Sequence, residues 1–144
     1  ELKEFWNQMN TKLLQNDTYF VANLPTSQLL LMNDNQYPWF ILVPRVADIS
    51  ETCQLSETQQ ASVLAESNAL SQALLDIYMP TTLNVAALGN VVRQLHIHHI
   101  ARFEQDKAWP APVWGHLPTV AYSETAAQIL INQILAHTKI KELL

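Results

Sequence analysis

The chain is short of cysteine, glycine and charge, and each shortage narrows what it can be. Cys53 is the only cysteine, so an intrachain disulfide and a thiolate metal cluster within one chain are both excluded. A reducing, cytoplasmic setting is expected. Nothing near Cys53 in sequence would lower its pKa, which argues against it as a nucleophile. Charged residues make up only 15% and the net charge is −5, so a basic patch of useful size for nucleic acid is not expected. No apolar run is long enough to span a bilayer and no signal peptide is visible, so no membrane partner is expected. So little charge also leaves apolar surface to hide, which points to a subunit interface.

What is present is a globular composition. At 144 residues and 49% hydrophobic, the chain is about one domain by size and can bury a real core. Leu2, Phe5, Trp6, Met9 and Leu13 recur near the helical period, predicting an amphipathic helix over residues 1–15. Leu29–Met32 and Trp39–Val43 read as strands around the turn Asn33-Asp34-Asn35-Gln36, an antiparallel hairpin closed by Pro44. Ser56 with Gln59 forms a capping box, opening a helix that runs to about Tyr78 and stops before Pro80. Leu83–Leu88 reads as a further strand, Gly89-Asn90 as a turn and Val91–Phe103 as one long strand. Residues 104–119 carry Trp109, Trp114, Pro110, Pro112 and Pro118 and read as an ordered, wrapped loop. Ser123 caps a final helix over residues 123–144, with Ile129, Leu130, Ile134 and Leu135 as its buried stripe. Clustered strands with flanking helices and no βαβ alternation make the fold class α+β, with an antiparallel sheet.

The chemistry lies in Gln94-Leu95-His96-Ile97-His98-His99-Ile100, which holds three of the five histidines. Side chains alternate along a strand, so Gln94, His96 and His98 share one face, and His99 points to core or interface. Such a row is costly to desolvate unless something polar occupies it. Three readings compete. The histidines can be satisfied polar residues on a half-exposed strand. They can present two imidazoles to Zn or Fe, with Glu104 as third ligand. The cupin pattern of that kind needs a shorter gap to the Glu and many tight turns, and Gly89 and Gly115 are the only glycines.

The third reading is phosphoryl or nucleotidyl transfer. Neutral imidazole is a good nucleophile near pH 7, and a phosphoramidate-linked intermediate divides one difficult displacement into two easier steps. The nucleophile's other nitrogen should donate to a backbone carbonyl, and a second histidine can donate to a nonbridging oxygen. Backbone N–H groups at the Gly89-Asn90 turn can contribute further donors.

The run from Gln94 to Ile100 resembles the histidine triad (HIT) motif, His-φ-His-φ-His-φ-φ, with Gln in the first His place. Asn33 ahead of Tyr37–Arg45, Asn84, Gly89-Asn90 and Trp109-Pro110 extend the resemblance over residues 20–115. Gln-Leu-His-φ-His followed by Ala-Trp-Pro-x-Pro-Val-Trp-Gly is most similar to bacterial HIT-like hydrolases akin to diadenosine tetraphosphate hydrolases. The resemblance implies a single HIT-like domain over residues 1–144, an antiparallel sheet with helices outside, and a homodimer with active sites near the shared interface. It implies His96 as nucleophile on the α-phosphate of a nucleotide and His98 as a phosphate-oxygen donor, with no cofactor and no metal required. Asn84 is expected at the phosphate or leaving group, the main chain of Gly89, Asn90 and Val91 at the phosphate, and Asn33 at the ribose hydroxyls.

Three departures bear on activity. Gln94 cannot titrate, Val91 stands where many members have Ser or Thr, and Trp39 takes the place of a further His. Leaving groups that need a proton, such as amines, are therefore disfavoured relative to polyphosphate. The expected substrates are dinucleoside polyphosphates or nucleoside phosphoramidates, the former favoured. The alternatives are a nucleotide-binding module with vestigial activity and a His-x-His metal protein. Trp109 and Trp114 are expected to pack over the site or a dimer seam.

Overall fold

A computed structural model describes residues 16–144, so the helix expected over residues 1–15 lies outside the described residues. The described chain forms an antiparallel sheet of five strands: β1 Thr18–Asn23, β2 Ser27–Met32, β3 Trp39–Pro44, β4 Thr82–Ala87 and β5 Ile97–Arg102. Their order is β1-β2-β3-β5-β4, and every neighbouring pair is antiparallel. The β2–β3 hairpin is the expected one. β1 was not expected, and it carries a bulge between Phe20 and Ala22.

Helix α1 spans Glu57–Tyr78 and starts as the capping box requires. Ser56 Oγ accepts from Gln59 N at 3.1 Å while Gln59 Oε1 accepts from Ser56 N at 2.9 Å. It ends at Met79, held in the left-handed region at φ 47° ahead of Pro80. Helix α2 covers Glu124–Ala136, with Ser123 Oγ accepting from Ala126 N.

The single helix expected to residue 144 is instead broken at His137. The His137 Nδ1 accepts from Lys139 N at 3.1 Å and caps a new short helix, α3, over Thr138–Lys141. The buried stripe of α2 is also rotated from expectation: Ala127, Ile131 and Ile134 are buried, whereas Ile129 is exposed.

Side-chain alternation divides the sheet into two environments. Leu29, Leu31, Phe40 and Leu42 pack against Leu70 and Leu74 of α1 and Ile131 and Ile134 of α2. Leu30, Trp39, Ile41, Val43 and Ile100 face the other way, under Val92, Ala108 and Val113 of the long connections. Both faces are thus covered, which is why β2 and β3 read as unbroken apolar runs.

The histidine strand begins at Ile97, not at Val91. Both of its ladders stop there, with Ile97 opposite Leu42 of β3 and Ala87 of β4. Residues 91–96 pair with no strand among the described residues and run as irregular chain, pinned where Leu95 N donates to Ile49 O at 2.8 Å.

The loop after β5 is ordered by a buried ion pair. Arg102, 1% exposed, donates to both carboxylate oxygens of Asp106 at 2.8 and 3.1 Å. It also donates to Asn84 Oδ1 at 2.7 Å and to Ala111 O at 2.8 Å. The guanidinium lies 5.7 Å from the Trp109 ring and 5.9 Å from that of Tyr37. This knot holds the segment that carries Val113 and Trp114 across the sheet face.

Candidate active site

A cavity of about 270 Å³ opens between the sheet and the covering connections. His96 and His98 line it together with Trp39, Ile41, Met32 and Trp114, with Leu88, Asn90, Val91 and Val92 from the β4–β5 connection. Asp17 and Thr18 complete its wall. No Lys or Arg stands among these described lining residues, and Asp17 is the one carboxylate among them.

The two rings are 4.9 Å apart, edge to face, and nearly closed off, at 5% and 7% exposed. Their hydrogen bonds fix where each proton sits. A backbone carbonyl only accepts, so His96 Nδ1, 2.7 Å from Gln94 O, must carry the hydrogen and leave the Nε2 lone pair free. His98 is the reverse. Trp39 Nε1 only donates, and it lies 2.9 Å from His98 Nδ1, so the neutral ring holds its hydrogen on Nε2. One site therefore presents a lone pair on His96 and an N–H on His98.

Burial also keeps both rings neutral. It lowers the His96 pKa, against the opposing pull of the Gln94 carbonyl. Burial, with the neighbouring His96 and His99, pushes His98 down to about 3. A charged imidazolium would lose its hydration here without a carboxylate partner in contact. His99 faces the helical side, as expected. It is fully buried, with Nδ1 donating to Ile97 O at 3.0 Å and Nε2 accepting from Ser67 Oγ of α1 at 2.7 Å.

The other expected residues are only partly gathered. Asn90 and Val91 line the cavity, whereas Gly89 does not. Gly89 has no left-handed φ, and a Cβ there would meet Val92 O at 3.6 Å, an ordinary contact. Gln94 does not join His96 in the cavity, because its side chain turns to the chain after β3. Its Nε2 donates toward Pro44 O and Val46 O at 3.4 and 3.3 Å, outside the cavity.

Asn84 shares the sheet face of His98 but is bound to Arg102. Asn33 Oδ1 accepts from Tyr122 N at 2.8 Å and tethers the start of α2. Neither asparagine lines the cavity. Glu104, the third ligand of the metal alternative, is exposed and does not line it either. Among the described residues, no group of three or more His, Cys, Asp or Glu could hold a metal ion.

Asp17, Thr18, Met32, Leu88 and Val92 were missed as lining residues. The first two went unseen with β1, although Thr18-Tyr19-Phe20-Val21 is a run of strand-forming types. Trp114 does line the cavity, stacked edge-on to His98 at 5.2 Å and to Trp39 at 6.2 Å.

A model of the HIT domain matches residues 14–105, which span both imidazoles and the sheet that carries them. The chain belongs to the HIT family. Among solved structures it is similar to a histidine triad protein from Marinobacter aquaeolei VT8. That protein is 42% identical, with a TM-score of 0.88 over 94% of this chain and 97% of that one. A histidine triad protein from Bradyrhizobium japonicum is 44% identical, with a TM-score of 0.84 over 86% and 92% of the two chains. A third, from Sinorhizobium meliloti 1021, is 37% identical, with a TM-score of 0.85 over 93% and 95%. No curated protein matches the chain. HIT proteins are generally nucleotide hydrolases or transferases, and family membership suggests that class of activity here. Among the described residues, no helix is long and apolar enough to cross a membrane.

Proposed function

We propose that this HIT protein hydrolyses or transfers nucleotides at the α-phosphate through a covalent nucleotidyl-His96 intermediate. The observation that carries this reading is the 2.7 Å contact of His96 Nδ1 with Gln94 O, which leaves the Nε2 lone pair free at neutral pH. In the first step that lone pair forms a bond to phosphorus while the bond to the leaving group breaks. The leaving group departs with the bonding electrons. In the second step water attacks phosphorus, the P–N bond returns its electrons to Nε2, and the water proton passes to solvent.

His98 Nε2–H and the main chain of Asn90 and Val91 supply neutral donors to the nonbridging oxygens as charge develops there. Gln94 contributes through its backbone carbonyl, which orients His96, rather than through its amide. The apolar wall of Met32, Ile41, Leu88 and Val92 suits a nucleobase or ribose face.

Neither Gln94 nor Trp39 can protonate a leaving group, which favours one that is already a stable anion. Polyphosphate meets that condition better than an amine, so dinucleoside polyphosphates are the preferred substrates and nucleoside phosphoramidates the second class. Beyond the α-phosphate, the polyphosphate of such a substrate extends out of the cavity, since no described cation lines it. A homodimer belongs to the same reading. β4 is an edge strand with Val85 48% exposed, which suits pairing with a second copy.

The test is to mix the protein with diadenosine polyphosphates or adenosine phosphoramidates, quench in alkali, and search by mass spectrometry for a nucleoside monophosphate on His96. His96→Ala should lose turnover and the adduct while still binding nucleotide. Nucleotide binding by wild type with neither adduct nor turnover would instead identify a binding module.

A further inference from the structure

The sheet places one non-titrating donor against one of the two cavity imidazoles. Trp39 on β3 lies two residues before Ile41, which is opposite His98 on β5. Its indole N–H reaches His98 Nδ1 at 2.9 Å, with ring centroids 5.6 Å apart at 58°. Indole nitrogen has no lone pair to offer and no proton to gain or lose near neutral pH, so this bond has one possible direction.

We infer that Trp39 is a positioning residue: by donating to His98 Nδ1 it fixes the His98 proton on Nε2, the remaining ring nitrogen available to a ligand. This rests on the His96 reading above for its catalytic meaning. The tautomer itself is a property of the free protein.

A histidine at position 39 could accept as well as donate, and would let the His98 proton sit on either nitrogen. Trp39 removes that freedom. Protonating His98 would set two N–H groups against each other in a buried contact, so the bond must break first.

Among the described residues, no charged side chain is in hydrogen-bond or ring contact with His98. Along the chain the neighbours are His96, just before β5 and in ring contact, and His99 on the opposite face of β5. β3 contributes Trp39 and Ile41, β4 contributes Ala86 opposite, and the covering loop contributes Trp114. Asp17 is the single carboxylate among the described cavity residues. The consequence is a site in which His96 alone titrates and His98 is a fixed neutral donor. Activity should then fall on acidification with the slope of one proton.

The experiment is long-range proton–nitrogen NMR of the histidine rings in the free protein, from pH 5 to 8. Wild type should show His98 as one neutral Nε2–H tautomer throughout, with a coupling across the hydrogen bond to Trp39 Nε1. His96 and His99 should show the opposite, Nδ1–H tautomer, and His99 also reports an intact core. Trp39→Phe should convert His98 to a mixture of the two neutral tautomers, still uncharged because the ring remains buried beside His96 and His99, whereas Trp114→Phe should leave the His98 pattern unchanged. With whichever nucleotide is turned over, Trp39→Phe should lower kcat/KM at pH 7 roughly tenfold, the scale of one hydrogen bond, and leave the single acid limb in place.

The inference is overturned if wild-type His98 carries its proton on Nδ1 or is cationic at pH 7. It is also overturned if Trp39→Phe folds and keeps the wild-type His98 spectrum. Should that variant fail to fold, the cross-bond coupling in wild type decides. If no nucleotide is turned over, the function proposed above fails, while the spectra still decide the tautomer.

Discussion

Replacing Arg102 by Met removes the centre of a buried polar knot, and the cost follows from the groups left behind. The Arg102 and Asp106 side chains are 2% and 4% exposed, so neither charge has water to fall back on. Taking one partner from a buried pair costs about 3–5 kcal/mol. Asp106 keeps three backbone donors, from Phe103 at 3.0 Å, Ala108 at 3.1 Å and Trp109 at 2.8 Å. The carboxylate is therefore partly compensated, which places the loss near the lower end, at about 3 kcal/mol. With a urea slope of about 2 kcal/mol per molar, the unfolding midpoint should fall by about 1.5 M. Tryptophan fluorescence during urea titration reads this directly.

Arg102→Met combined with Asp106→Leu should recover much of the loss, because an apolar pair leaves no orphaned charge. Acidity supplies an independent check. Burial acts to raise the Asp106 pKa, but the bonds from Arg102 and from the Phe103 and Trp109 amides outweigh it and hold it low. A carboxylate lowered in the folded state adds stability above its unfolded pKa of about 3.9, and loses it as pH falls through the folded value. That loss should be smaller in Arg102→Met. An Arg102→Met protein within about 1 kcal/mol of wild type would refute the assignment of Arg102 as the hub.

Two further outcomes are expected. Burial holds His98 at about 3 and His99 at about 4, so both are neutral when folded and charged when unfolded below about pH 6. Stability from them is complete above about pH 6.5 and should decline on acidification by up to about 2.7 kcal/mol per pH unit. Urea midpoints measured from pH 7 to 4.5 would show it, and a flat profile would contradict it. Met79 holds a left-handed φ of 47° and is 81% exposed. Met79→Gly should therefore stabilise the protein by about 1 kcal/mol, seen as a raised thermal midpoint, and an unchanged or lower midpoint would count against strain there.

What the sequence made legible was local. Ser56 with Gln59, Ser123 with Ala126, and Pro80 after Met79 act within one helical turn, and those helix boundaries are read from neighbours alone. The hairpin around Asn33–Gln36 is of the same kind. The His96–His98 pair was legible because alternation brought both rings to one face, even though the strand begins only at Ile97.

What was hidden depends on partners far along the chain. Asn33 is held by Tyr122 and Asn84 by Arg102, and nothing beside either asparagine announces it. The Trp39–His98 bond joins residues 59 apart. Gln94 was misplaced because an apolar run looks extended whether or not a neighbouring strand exists to pair with it. β1 was missed for a related reason: its bulge breaks the strict alternation that marks a strand in sequence.

His98 stands on a strand flanked on both sides, with β3 along one edge and β4 along the other, and His96 immediately precedes that strand. The immediate neighbour of His98, His99, is bolted to α1 through Ser67. The His98 donor thus has no detachable part. Heat or denaturant should extinguish function and cooperative structure at the same midpoint, and the amides of β5 should be among the last to exchange with solvent.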